Sequence, residues 1–280
     1  MNYTAQITTR NPTCFLFLVD QSGSMKLPFG RDRSVRKADG VAEALNRLLD
    51  ALVSRCSKGE KIADRYYIGV IGYGSRIGSG LGGELAGQGL VPVSRIGSHP
   101  LRIEERVRKE RDGAGGVREA KVIVTVWIEP VADGRTTLMC GALAEAQKTV
   151  RSFVTANPNS FPPIVINITD GEAKDGDPEA AAAALREITT ADGNVLLFNV
   201  HISSDESSPI LFPSDEGQLP DKFSQRLFRM SSPLPPKMIE EAQSMEYPVI
   251  AGARGFVFNA DLDSVVHFLD IGTALGPKGN

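Results

Sequence analysis

Runs and alternations of apolar positions divide this chain into strands and helices of recognisable period. Phe15-Leu16-Phe17-Leu18-Val19 is a continuous apolar run that stops at Asp20, the pattern of a strand covered on both faces. Beyond a loop holding Pro28 and Gly30, the positions Val35, Ala38, Val41, Ala42, Leu45, Leu48, Leu49, Leu52 and Val53 recur at helical spacing, predicting an amphipathic helix over about 34–56. Tyr66 to Tyr73 predicts the next strand, and the glycine-rich stretch Gly74 to Gly89 a loop. A short strand is expected over Leu90 to Val93. The charge run Leu101 to Arg111 holds five basic and three acidic side chains and predicts a short solvated helix, with a turn over Asp112 to Gly116. Val122 to Ile128 alternates and predicts a strand at a sheet edge.

The second half repeats the alternation of strand and helix. Ala142, Leu143, Ala146, Val150 and Phe153 place a helix from Met139 onward. Ile164 to Asp170 is a second buried strand ending in an acid. Pro178 to Thr190 is an alanine-rich helix with proline in its first turn, and Asn194 to Ile202 is the next strand. A polar loop, two short helices near 221–229 and 236–245, a short strand at Gly255 to Phe258 and a helix marked by Leu262, Val265, Val266 and Leu269 complete the chain. Strands alternating with helices predict an α/β fold, a doubly wound, mostly parallel sheet flanked by helices. No repeat or linker divides residues 1–280, so one domain is expected, with 76–121 as an insertion or extended loop region.

Composition narrows the function. With 280 residues, 41% hydrophobic and 23% charged, the chain can bury a sizeable core. A net charge of -3 gives no general attraction for nucleic acid or an anionic membrane. The stretch Met1 to Arg10 has no apolar signal core, and no apolar run approaches the ~20 residues of a membrane span. A cytoplasmic protein with neither a nucleic-acid nor a membrane partner is expected. The cysteines Cys14, Cys56 and Cys140 lack CxxC spacing, and His99, His201 and His267 are dispersed. A metal site here would therefore be built on oxygen.

Three segments supply such oxygens at predicted strand ends. They are Asp20-Gln21-Ser22-Gly23-Ser24, the loop Gly134-Arg135-Thr136-Thr137-Leu138 that runs into a helix, and Thr169-Asp170-Gly171. In open α/β sheets ligands bind outside the carboxyl ends of strands. Carboxylates and hydroxyls there suit a small hard dication. Alone, Asp-x-Ser-x-Ser before a helix is also an N-cap pattern, and Thr-Asp-Gly is a common turn. It is their order and their shared placement that point to one site.

In order, type and spacing these segments resemble the tripartite metal-ion-dependent adhesion site of von Willebrand factor A (VWA) domains. The second VWA motif reads Gly-x-Thr-(Pro/Asn)-(Leu/Met)-x-x-Ala-Leu. Counting back from Ala142-Leu143 selects Thr137, with the adjacent Thr136 as the alternative. The resemblance implies a single VWA-like domain with Asp20, Ser22, Ser24, Thr137 and Asp170 as metal residues. It implies Mg²⁺ as the ion, with Mn²⁺ or Ca²⁺ as alternatives, and a protein partner that donates a carboxylate to the open coordination position. The implied role is that of a non-enzymatic adaptor, similar to bacterial stand-alone VWA proteins associated with kinases, phosphatases, ATPases, stress response or tellurite resistance. It also implies a C-terminal helix that moves when the open position is filled.

The strongest enzyme alternative is a Mg²⁺-dependent phosphohydrolase using Asp20, with Asp170, Asp175 and Asp177 as an acidic cluster. Such chemistry requires a second acid two residues on to protonate the leaving group, and that position is Ser22. Serine hydrolysis lacks a G-x-S-x-G elbow. Gly72-Tyr73-Gly74 lacks the spacing of a dinucleotide loop, and no P-loop is present. Trp127 on its strand reads as core. Cys140 reads as a small buried apolar group, with oxidation sensing as its alternative.

Overall fold

A computed structural model describes residues 3–30, 32–111, 117–204 and 207–273. Strand β1 (Thr13–Asp20) is buried throughout. Strands β2 (Pro28–Phe29) and β3 (Asp32–Arg36) form a small antiparallel pair ahead of helix α1 (Lys37–Cys56). The hairpin β4 (Ser57–Lys58) and β5 (Lys61–Ile62) leads into β6 (Tyr66–Tyr73). Strands β7 (Ile77–Ser79) and β8 (Val91–Pro92) both return antiparallel to β6, and helix α2 (Val93–Ser98) follows. Among the described residues, strands β9 (Arg102–Arg111) and β10 (Val117–Val126) pair only with each other. Then come α3 (Met139–Ala156), β11 (Ile164–Thr169), α4 (Pro178–Arg186), β12 (Leu196–Ile202) and β13 (Ile210–Leu211). Helices α5 (Lys222–Met230) and α6 (Pro236–Ser244), strand β14 (Phe256–Ala260) and helix α7 (Leu262–Thr273) complete the order.

Among the described residues the main sheet has eight strands in the order β13-β14-β12-β11-β1-β6-β7, with β8 also on β6. Its five central strands are parallel and its short outer strands antiparallel. The α/β, doubly wound architecture read from the alternation of elements is thus the observed one. Side chains alternate across the pleat. Phe15, Phe17 and Val19 enter a core shared with α1, α6 and α7. Cys14, Leu16 and Leu18 enter the opposite core with α3, α4 and α5. Covering both faces explains why β1 and β11 are continuous apolar runs. β6 lies on one side of β1 and β11 on the other, so the sheet order reverses at β1 and opens a crevice at its carboxyl end.

The sequence reading departs from the structure at several points. Residues 34–36 do not begin α1 but end β3, and the helix starts at Lys37, where Asp39 accepts hydrogen bonds from the Arg36 backbone and guanidinium. Short strands lie inside the expected loops at 74–89 and 203–220. The charge run 102–111 is a strand, not a helix. Its period of two puts Arg102, Glu104 and Arg106 on one face, where Glu104 pairs with both arginines. Ile103, Val107 and the cross-strand Ile123 lie exposed on the other. The β-branched run Val122 to Val126 sets this ribbon, and for the same reason β10 is not an edge of the main sheet. The turn expected over 112–116 lies outside the described residues.

Past the ribbon the chain returns to the core at Trp127, whose indole Nε1 donates to the Ile96 carbonyl at 2.7 Å. Asn46, buried on α1, holds this junction. Its Oδ1 accepts from the Trp127 and Ile128 backbone N–H groups at 2.8 and 3.1 Å, and its Nδ2 donates to the Ile128 carbonyl at 2.9 Å. One side chain thereby satisfies three backbone groups in an otherwise apolar setting. Replacing it strands them. Asn46→Ala is expected to lower the unfolding free energy by about 2–4 kcal/mol, read as a reduced urea midpoint at unchanged slope.

Candidate metal centre

The crevice at the end of β1 is where the three oxygen-bearing segments meet. Parallel register sets Asp20 beside Tyr73 of β6, and Val19 beside Ile168 of β11. Asp20 and Thr169 therefore finish neighbouring strands on one face of the sheet, and the Thr169 hydroxyl donates to Asp20 Oδ2 at 2.8 Å. Asp20 Oδ1 accepts from the Ser22 backbone N–H at 2.8 Å. Asp20 is fully buried. Burial raises its carboxyl above the ordinary value, opposed by the Ser22 hydrogen bonds and reinforced by the nearby Asp170 charge.

Asp170, one residue on, follows the pleat to the α1 side. Ser22 Oγ and Ser24 Oγ lie 3.0 Å apart, and Ser24 Oγ donates to Asp170 Oδ1 at 2.7 Å. The other Asp170 oxygen accepts from Lys37 Nζ at 2.9 Å. This ion pair is withdrawn from solvent, with the Lys37 side chain 6% exposed and that of Asp170 0%. Removing one member of such a pair costs about 3–5 kcal/mol because the other charge stays buried. Lys37 opens α1, where the helix dipole disfavours a cation, so its attraction is to Asp170.

Thr137 is carried by a loop clamped from two sides. Gly134 bridges to Ser22 and donates its N–H to the Gln21 carbonyl at 3.0 Å. A Cβ at Gly134 would sit 2.8 Å from Gly74 Cα and 3.0 Å from Gln21 O. Only glycine allows that approach of three backbones. From the other side, the Lys174 N–H donates to the Thr137 carbonyl at 2.9 Å. Asp175 accepts from the Cys140 and Gly141 N–H groups at 3.1 and 2.8 Å, closing the start of α3. Thr137 is buried and Thr136 half-buried.

Asp20, Ser22, Ser24 and Asp170 are thus joined in a chain by the Ser22 backbone N–H and the two serine hydroxyls, and Thr137 lies on the loop held between their two segments. Lys37 is the participant that pattern reading missed, while Thr169 and Asp175 were noticed there without the hydrogen-bonding roles they have here. Lys37 had no distinguishing signal, being a polar residue at a helix start. Asp175 and Asp177 carry cap bonds, since Asp177 accepts from the Glu179 N–H at 3.1 Å, and so do not form a cluster with Asp170. Among the described residues no three His, Cys, Asp or Glu side chains group to hold a metal. Burial and Asp175 push the Cys140 thiol up to about 11, which keeps it protonated at neutral pH.

No family profile matches the chain, and no curated protein matches it in sequence. Among solved structures it is similar to a von Willebrand factor type A protein from Catenulispora acidiphila, at 14% identity and a TM-score of 0.49, covering 95% of this chain and 43% of that one. A second is proximal thread matrix protein 1 from the mussel byssus, with a zinc-occupied MIDAS motif (12% identity, TM-score 0.49, 96% and 47% covered). A third is the PilB minor pilin from Streptococcus sanguinis (9%, 0.49, 97% and 62%). The chain spans less than two thirds of the length of each. No helix among the described residues is long and apolar enough to cross a membrane.

His201 lies one residue before the end of β12, paired with Thr169 in the same row. It stacks on Phe258 at 4.8 Å, and its Nδ1 accepts from the Asn259 N–H at 3.3 Å. Burial lowers it to about 4, helped by Lys37 and opposed by Asp221 and Asp170. The folded value lies below the unfolded 6.5. Its contribution is therefore complete above about pH 6.5 and is lost as pH falls toward 4. His201→Gln is expected to remove about 3 kcal/mol of this acid dependence, measured as a flatter plot of unfolding free energy between pH 7 and 4.

Proposed function

We propose that this chain is a VWA-type interaction module whose Asp20, Ser22, Ser24, Thr137 and Asp170 hold a divalent cation that a partner's carboxylate then ligates. The observation that carries the reading is the Ser22–Ser24–Asp170 hydrogen-bonded chain at the switch point of the sheet, with its 2.7 Å link across 146 residues of sequence. The donor set fits a small hard ion. It offers hydroxyl and carboxylate oxygens, with no sulfur or imidazole among the five residues. Mg²⁺ suits it best, with Mn²⁺ or Ca²⁺ as alternatives. Both Asp20 oxygens accept hydrogen bonds from the protein, so Asp20 would support the site by positioning the Ser22 loop and adding negative charge, while Ser22, Ser24 and Thr137 would supply neutral hydroxyl donors.

When bound, the cation supplies a Lewis-acidic position for an oxygen ligand. Neutral hydroxyl donors would leave that position electrophilic, which would favour an incoming acid over water. On this reading residues 1–280 form one VWA-like domain, and 76–121 is the insertion or extended region beside it. The module acts as a cytoplasmic adaptor in a signalling or stress assembly, with a kinase, phosphatase or ATPase-associated protein as the kind of partner. The phosphohydrolase reading is disfavoured by Ser22 in the general-acid position and by the capping duties of Asp175 and Asp177.

The test is calorimetric titration with MgCl₂ and capture of native partners with and without EDTA. Wild type is expected to bind Mg²⁺ and to hold its partner only when Mg²⁺ is present. A Ser22→Ala/Ser24→Ala protein is expected to lose both while keeping its EDTA-state stability within about 2 kcal/mol. Capture indifferent to EDTA and to the double substitution would sink the adhesion reading. Phosphoester turnover abolished by Asp20→Asn would replace it with the hydrolase.

A further inference from the structure

A buried cation already stands in this centre. We propose that Lys37 is the resting counter-ion of the site, competing with the divalent cation for Asp170 and leaving the site when the ion binds. The inference rests on the metal reading above and adds its regulation. Three observations carry it.

The first is that each Asp170 oxygen has one partner, Ser24 on one and Lys37 on the other, so an ion approaching this carboxylate would share it with a cation already bonded there. Secondly, Lys37 is 5% exposed although it is a long charged side chain at a helix start. Such side chains ordinarily extend to water. The third is charge balance. Lys37 offsets one of the two buried carboxylates Asp20 and Asp170, so the ion-free site carries less uncompensated charge than those acids alone. A dication brought in beside a retained ammonium would meet direct repulsion. Release relieves it, because the lysine stem is flexible and its head regains water. The chain would thus keep Ser24 and Asp170 arranged without metal and would set a threshold concentration for loading.

The experiment measures Mn²⁺ binding by electron paramagnetic resonance for wild type and Lys37→Met. It also measures amine acetylation of Lys37 in wild type by mass spectrometry, in EDTA and in saturating Mg²⁺. The methionine variant is expected to bind Mn²⁺ at least about tenfold more tightly, with a lower Tm in EDTA and a larger Tm gain on adding metal. Lys37 of wild type is expected to be protected in EDTA and to become reactive with Mg²⁺. Lys37→Gln is measured alongside, so that the comparison stands if the methionine variant does not fold without metal.

Tighter binding without any rise in Lys37 reactivity would overturn the release and leave only a charge effect. Wild type that binds while both variants bind equally or more weakly would overturn the competition and leave the metal reading intact. Wild type that does not bind while a variant does would uphold Lys37 as the blocking ion and overturn metal-dependent adhesion in the native chain. Failure of all three proteins to bind would overturn both.

Discussion

The parallel pairing of β1 with β11 is the constraint on which the rest of this molecule depends. Register from Phe15–Ile164 to Val19–Ile168 brings two strands that are far apart in sequence to a common carboxyl edge. It leaves Asp20 and Thr169 side by side, sealed by a 2.8 Å hydrogen bond. Because residues on a strand alternate between faces, Asp170 then falls on the α1 side. A slip of one residue would reverse both faces, sending Phe17 and Leu18 into the wrong cores and parting Asp20 from Thr169. The hydrophobic pattern that fixes the register therefore also fixes the polar centre.

That centre is held by backbone as much as by side chains. Gly134 lets its loop approach the backbones of Gln21 and Gly74, and Asp175 ties the helix after that loop to the segment after β11. The two short peptides carrying Ser24 and Thr137 are thus each tethered to the Asp20 or Asp170 segment. Three carboxylates near one sheet edge could suggest catalysis from composition alone. Their hydrogen bonds divide the work differently. Asp20 orients a loop, Asp170 meets a serine and a lysine, and Asp175 closes a helix. Hydrogen bonds of this kind favour the charged form of each acid and so oppose its use as a base.

The ribbon of β9 and β10 shows where local composition misleads. Eight charged side chains in ten residues suggest a solvated helix, but the same residues alternate with Ile103 and Val107 at the period of a strand. Opposite them lies the β-branched run Val122, Ile123, Val124. Strand pairing is a contest between partners, and the second partner decides it. Asn46 then fastens the returning chain to α1. No periodic pattern marks that role, because a single polar residue on a helix interrupts the apolar stripe without naming what it will bind.

The main strands, the long helices and their two-layered arrangement were legible in the chain because burial imposes period two or 3.6 on apolar residues, and that period is local. The apolar runs also marked the strand ends at Asp20 and Asp170, while the set Asp20, Ser22, Ser24, Thr137 and Asp170 was nominated through its resemblance to the VWA motifs. The meeting of Ser24 with Asp170, the bond from Thr169 and the capping by Asp175 depend on strand order and register, which arise only when distant segments pair. Lys37 is the clearest case. At the start of a helix it reads as an ordinary exposed cation, and only the packing of α1 against the sheet turns it inward, onto a carboxylate 133 residues away. Periodicity records whether a side chain faces the core, and it carries no information about which charge will be waiting there.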